Sequence, residues 1–218
     1  MALFLALLAS AHLGDLRALV ACAGATLVLL PTLVLFARPP VEALLPSSAG
    51  AVFATLYVAL GGGSIIGLRA RGWEYVLFLL AVVWAGDSAA YYAGRRWGKR
   101  KLAPTVSPKK TWEGFWGQVA AGLAVGLLAG GSLAFSGVTL AGPGPAALVA
   151  LFALLGILVS VVAVVGDLVE STFKRSVAVK DSGGLLPGHG GLLDRLDSLL
   201  YASPVLLLAL TFLPGGAR

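Results

Sequence analysis

In the stretch "DLVESTFKR", Asp167, Glu170, Ser171 and Lys174 stand at i, i+3, i+4 and i+7, so a helix puts all four on one face. That stripe offers carboxylates, a hydroxyl and an ammonium group, a suitable lining for a phosphate-bearing site. Local ion pairing would account for Glu170 with Lys174 but leaves Asp167 without a role. Downstream, "LLPGHGGLLDRLDS" opens with Pro187, Gly188, Gly190 and Gly191, which forbid a regular helix and allow close backbone approach. A helix can start near Leu192 to Asp194, with Asp194 and Asp197 three apart on one face and Arg195 pointing elsewhere. A glycine-rich turn running into a helix start presents backbone N–H groups to an anion. Two aspartates beside it suggest a divalent cation with hard oxygen ligands, Mg²⁺. His189, flanked by glycines and without a second histidine at ligand spacing, makes a poor zinc site. It either contacts phosphate or does acid/base work, or it holds the turn by a hydrogen bond.

A second polar stretch, "WAGDSAAYYAGRRWGKRKLAPTVSPKKTWEGFWGQ", has a comparable pattern. Asp87 and Tyr91 form an i, i+4 pair, and Lys109 and Lys110 precede Thr111 and Glu113, which can open the next helix. Attraction of bases to an anionic leaflet explains much of this loop, and Trp97, Trp112 and Trp116 suit a membrane interface. Neither explanation predicts Asp87 beside so many bases. No Walker A, GxGxxG or HExxH pattern occurs.

The elements that must carry these residues are apolar. Of 218 residues, 58% are hydrophobic and 12% charged, about half the charge of an ordinary soluble domain. Windows near 17–37, 49–68, 74–93, 115–136, 145–166 and 195–213 are each long enough to span a bilayer, with a shorter apolar stretch at 1–13. The expected fold is all-α: one polytopic membrane-embedded helical bundle over 1–218, with about six or seven transmembrane helices. "MALFLALLASAHLGD" lacks the basic start of a signal peptide and reads as a retained segment. Cys22 is the single cysteine.

Of 16 Lys and Arg, seven lie between Arg95 and Lys110 and four between Lys174 and Arg195, while seven of ten acids lie in or beside these stretches. The segments 84–118 and 167–198 should therefore share one face of the membrane, the cytoplasmic one by the positive-inside rule. Arg69 and Arg71 resist that count, falling one span earlier: either a segment is re-entrant, or the larger loop outvotes them. Asp87 and Asp167 each follow a long apolar run. A carboxylate at membrane depth costs about 2.5–3.5 kcal/mol on insertion scales and marks a wet, functional interior.

"STFKRSVAVKDSGGLLPGHGGLLDRLDS", Ser171 to Ser198, resembles the signature of the phosphatidate cytidylyltransferases, or CDP-diacylglycerol synthases. The matching pattern is Ser-x-x-Lys-Arg, Lys-Asp, then Pro-Gly-His-Gly-Gly-x-x-Asp-Arg-x-Asp. The upstream stretch is similar to that family's other conserved region, with Ser88 where threonine is more usual and Gln118 where a further glycine is common. Strong motifs cover about residues 84–198, and the chain is shorter at the N-terminus than usual members.

The resemblance implies a dimeric integral enzyme of the cell (inner) membrane with its active site facing the cytoplasm. It would join CTP and phosphatidic acid to give CDP-diacylglycerol and pyrophosphate with Mg²⁺, a second cation being compatible. Membrane lipids and a second copy are the expected partners, and no nucleic acid is. On that reading Asp167 and Asp194 are the principal metal ligands, with Asp197 a further ligand or an orienting partner. Asp87 completes the cage or orients the nucleotide. Lys174, Arg175, Lys180, Lys109 and Lys110 hold phosphates, and Ser171 donates a hydrogen bond. His189 and the amides of Gly188, Gly190 and Gly191 lie near the triphosphate, and Arg195 is counted among the substrate-binding cations. One rival changes the acceptor, to a CTP-dependent polyprenol kinase or related CDP-lipid synthase. Another is a cation-coupled transporter, which would place acids near mid-span.

Overall fold

A computed structural model of the chain describes residues 16–37, 39–136, 144–177, 179, 191 and 193–212. They form six helices: α1 (Leu16–Phe36), α2 (Val41–Arg71), α3 (Trp73–Trp97), α4 (Trp112–Phe135), α5 (Pro145–Ser176) and α6 (Leu193–Phe212). Helices α2 to α6 are each long and apolar enough to cross a membrane, and α1 adds an apolar helix whose side chains are described from Val20. The all-α expectation thus holds for the bundle, with one addition. Strands β1 (Lys101–Ala103) and β2 (Ser107–Thr111) pair antiparallel between α3 and α4, Lys101 opposite Thr111 and Ala103 opposite Ser107. The apolar stretch at 1–13 lies outside the described residues.

The sequence stops and starts each helix locally. Pro40 precedes α2, with Glu42 in its first turn and Arg69 and Arg71 in its last, each charge matching the helix dipole. Helix α2 runs without interruption to Arg71, and Gly72 alone links it to α3, so no re-entrant turn intervenes. Arg69 and Arg71 accordingly lie at the end of the bundle opposite the polar loops, where Arg71 Nη2 donates to Thr211 Oγ1 at 2.9 Å. Thr111 caps α4, its Oγ1 accepting from the Gly114 N–H at 3.1 Å. The carboxylate of Glu113 accepts from the Arg100 N–H at 3.3 Å and ties the hairpin to that helix start.

Small residues set the spacing between helices. Along α4, Gly122, Gly126 and Gly130 lie against Leu148, Val149, Phe152, Ala153, Gly156 and Ser160 of α5, and a Cβ on Gly126 would collide with the carbonyl of Phe152. Such close approach of backbones is how membrane helices associate when no water is displaced between them. Another face of α4 meets α3: a Cβ on Gly114 would stand 2.9 Å from the Ala90 carbonyl, and one on Gly117 2.8 Å from Ala93 Cβ. Helix α4 is therefore wedged between α3 and α5 and fixes the separation of Asp87 and Asp167. Helix α6 closes the other side. Ser203 Oγ donates to the Gly61 carbonyl of α2 at 2.9 Å, and Gly166 of α5 receives Tyr201.

The core contains Leu68, Leu79, Val82, Val159, Ala163 and Leu206, with Phe78 meeting Phe152 edge to face. Helix α5 is the most buried span. Residues 145–166 of α5 rise about 33 Å, close to the roughly 30 Å of a bilayer's hydrocarbon. Asp167 thus emerges at the membrane's lip, and the helix continues through the polar face of Glu170, Ser171 and Lys174.

Candidate active site

The polar stretches meet at the end of the bundle formed by the C-termini of α3 and α5 and the N-termini of α4 and α6. Lys110 Nζ, at the end of β2, lies 2.6 Å from Asp167 Oδ2. This contact gives Asp167 a cationic partner from outside its own helix. Its other oxygen, Oδ1, accepts from Ser171 Oγ at 3.3 Å, as the shared helix face anticipates. Asp87 lies within electrostatic range of Asp167, Lys110 and Asp197. Charges from α3, α5 and β2 thereby act on one another at this point, with Asp197 of α6 within electrostatic range.

A second ion cluster stands beside the first. Lys174 Nζ pairs with Glu170 on its own helix and lies 2.8 Å from Asp194 Oδ1 of α6. The other Asp194 oxygen accepts from the Gly191 N–H at 2.7 Å, a carboxylate reaching back to an N–H left open at a helix start. All three side chains of this cluster are largely buried. Asp197 is buried one turn further along α6, its carbonyl accepting from Tyr57 Oη of α2 at 2.9 Å. Arg175 Nη1 donates to the Val179 carbonyl at 3.4 Å, and Arg195 lies on the exposed side of α6. Lys180, Gly188, His189 and Gly190 lie outside the described residues.

A cavity of about 410 Å³ opens between α3, α4, α5 and the hairpin. Its walls carry Asp87, Lys109, Lys110 and Asp167 from the sequence-derived set, together with Tyr91, Arg95, Thr111, Phe115 and Gln118. Arg95 Nη1 donates to Tyr91 Oη at 3.2 Å. Sequence reasoning passed over Arg95 and Gln118 as site residues. Gln118 was detectable as the one polar side chain in the apolar run of α4 after Glu113 and before Ser132. Trp97, Trp112 and Trp116 are exposed around this end of the bundle, as expected of residues at a bilayer interface.

Among the described residues, no three acidic or histidine side chains stand close enough to cage a metal ion. Mg²⁺ does not require such a cage: one or two carboxylates, retained waters and substrate phosphates satisfy its octahedron. Asp167, Asp194 and Asp197 supply hard oxygen donors of that kind, so the donor chemistry fits Mg²⁺. Asp167 and Asp194 each hold a lysine ammonium instead.

Comparison with known proteins gives the same direction. The profile of the cytidylyltransferase family matches residues 1–213. The phosphatidate cytidylyltransferase of Haemophilus influenzae is 46% identical over 134 residues, 62% of this chain and 44% of that protein. Those of Brucella suis biovar 1 and Staphylococcus saprophyticus are 44% and 43% identical, covering 73% and 69% of this chain and 55% and 54% of their own lengths. The chain thus spans about half the length of the curated relatives it matches. With its family profile matched nearly end to end and its paired polar segments meeting in one cavity, the chain belongs to the cytidylyltransferase family.

Proposed function

We propose that this chain carries the site of a phosphatidate cytidylyltransferase, transferring the cytidylyl group of CTP to phosphatidic acid. The observation that carries the reading is the ion pair of Lys110 with Asp167, which joins the two polar segments of the family pattern. The names of its relatives support the same activity.

In this reaction a phosphate oxygen of the lipid attacks the α-phosphorus of CTP, a new P–O bond forms, and the bond to the β-phosphate breaks to release pyrophosphate. Both reactants are anions, and phosphoryl-type transfers depend mainly on positioning and charge stabilisation. Lys109, Lys110 and Arg95 line the cavity and supply cations for the triphosphate. Lys174, held by Glu170 and Asp194, presents an ammonium in a fixed place. Ser171 Oγ orients Asp167. A phosphate monoester is already largely ionised near neutrality, so the chain need supply no general base. Asp167 and Asp194 are the carboxylates that would hold Mg²⁺ together with substrate phosphates, and the ion would supply charge neutralisation at the phosphates.

Five membrane-length helices and a basic, aromatic-rimmed end support a multi-pass membrane enzyme working from the cytoplasmic side; the inner membrane and a second copy as partner rest on the family resemblance. The transporter reading is disfavoured because Asp167 follows the membrane-length apolar run of α5 and Asp194 opens α6, both beside basic residues rather than at mid-span. Purified protein in lipid nanodiscs with labelled CTP, phosphatidic acid and Mg²⁺ should form labelled CDP-diacylglycerol and release pyrophosphate. Failure to label lipid, or equal labelling of a polyprenol, would overturn the reading.

A further inference from the structure

The cavity is lined by a neutral amide, Gln118, that neither ion cluster uses. Gln118 is only 4% exposed, and its amide makes no hydrogen bond with any described residue, although it lines the cavity together with Asp87. Unlike Ser160, whose buried hydroxyl oxygen is closed off without a hydrogen-bond partner, the Gln118 amide stays open to the cavity, so water or a ligand there is its available partner. Packing rather than hydrogen bonding holds it in place. Its chain lies over Gly86 of α3, where an added Cβ would stand 2.8 Å from Gln118 Cγ and 3.5 Å from Nε2. Lys109, Lys110 and Arg95 stand on β2 and the last turn of α3, whereas Gln118 and Asp87 lie further along their helices from that end. With phosphates at the cationic end, the other end of the cavity is left to the uncharged part of a substrate.

Resting on the proposed use of CTP, the geometry points to Gln118 as a nucleobase-binding residue, which with Asp87 contacts the amino-bearing edge of cytosine. An amide sets one acceptor beside two donors. The pyrimidine edge offers the complement, an amino donor beside a ring-nitrogen acceptor, whereas the ester groups of a lipid offer acceptors only and would leave Gln118 Oε1 unpaired. An amide alone can rotate to suit cytosine or uracil. An ionised carboxylate only accepts, so Asp87 favours the base that carries an amino group. Sites built around a substrate N–H discriminate strongly against analogues lacking it.

The test is steady-state pyrophosphate release with CTP and with UTP, for wild type, Gln118→Leu, Gln118→Gly and Gly86→Ala. The glycine variant places at 118 the residue common in the family pattern, and Gly86→Ala displaces the amide without removing it. Expected is a rise of roughly tenfold in KM for CTP, a smaller change in kcat, an unchanged KM for phosphatidic acid, and a fall in the CTP-over-UTP ratio of kcat/KM. Active variants whose CTP-over-UTP ratio stays within twofold of wild type would overturn the inference alone, as would a change confined to the KM for phosphatidic acid. A wild type inert with CTP would overturn the proposed function itself.

Discussion

Lys110 Nζ lies 2.6 Å from Asp167 Oδ2, and the two residues belong to different polar segments, one ending a strand and the other ending a membrane-length run of α5. The pair places a cation and a carboxylate, the two components needed to handle phosphate and metal, at one point on the cavity wall.

The pairing has an electrostatic consequence. An ammonium on Asp167 competes with a divalent cation for the same oxygen, so Lys110→Gln should bind Mn²⁺ more tightly than wild type when no nucleotide is present. Electron paramagnetic resonance titration of free Mn²⁺ reads this directly. The same variant should lose roughly 100-fold or more in kcat/KM for CTP, because a fixed cation for the triphosphate is gone.

Lys174 stands between Glu170 and Asp194 with little solvent around it. Lys174→Met leaves two carboxylates facing each other without a cation, and breaking a buried pair from one side costs about 3–5 kcal/mol. Thermal unfolding in nanodiscs should show a clear loss for Lys174→Met. The double variant Lys174→Met with Glu170→Gln should recover part of that stability without recovering activity.

The glycines of α4 give a paired comparison. Gly126→Leu drives a side chain into the Phe152 carbonyl and should disrupt the α4–α5 seam, whereas a Cβ on Gly131 meets nothing within 4 Å and Gly131→Leu should be tolerated. Yield of monodisperse protein and melting temperature separate the two.

Thr111 caps α4 immediately after Lys110. Thr111→Val should cost about 1 kcal/mol of stability and lower activity by loosening the lysine's position. Thr111→Ser should stay close to wild type in both melting temperature and turnover.

What the sequence disclosed follows the range of the interactions involved. The shared face of Asp167, Ser171 and Lys174 and the helix starts at Trp112 and Leu193 rest on local spacing and caps, and both appear in the structure. The partner of Asp167 was not legible, because it depends on how closely α4 approaches α5. The spacing of Gly122, Gly126 and Gly130 carries that signal, yet nothing local says which helix will receive it. The β1–β2 hairpin was missed for a related reason: three- and five-residue strands in a basic, proline-interrupted loop have too little periodicity to register. Arg69 and Arg71 show the opposite case, where strict counting of spans placed them at the far end and the structure agrees.

The central claim is that the two polar segments build one nucleotidyl-transfer site around Asp167. Its most direct test is the rate of labelled CDP-diacylglycerol formation by folded Asp167→Asn protein beside wild type. The account predicts a loss of roughly 10³-fold with melting temperature little changed; a variant that keeps its rate within tenfold of wild type would contradict it.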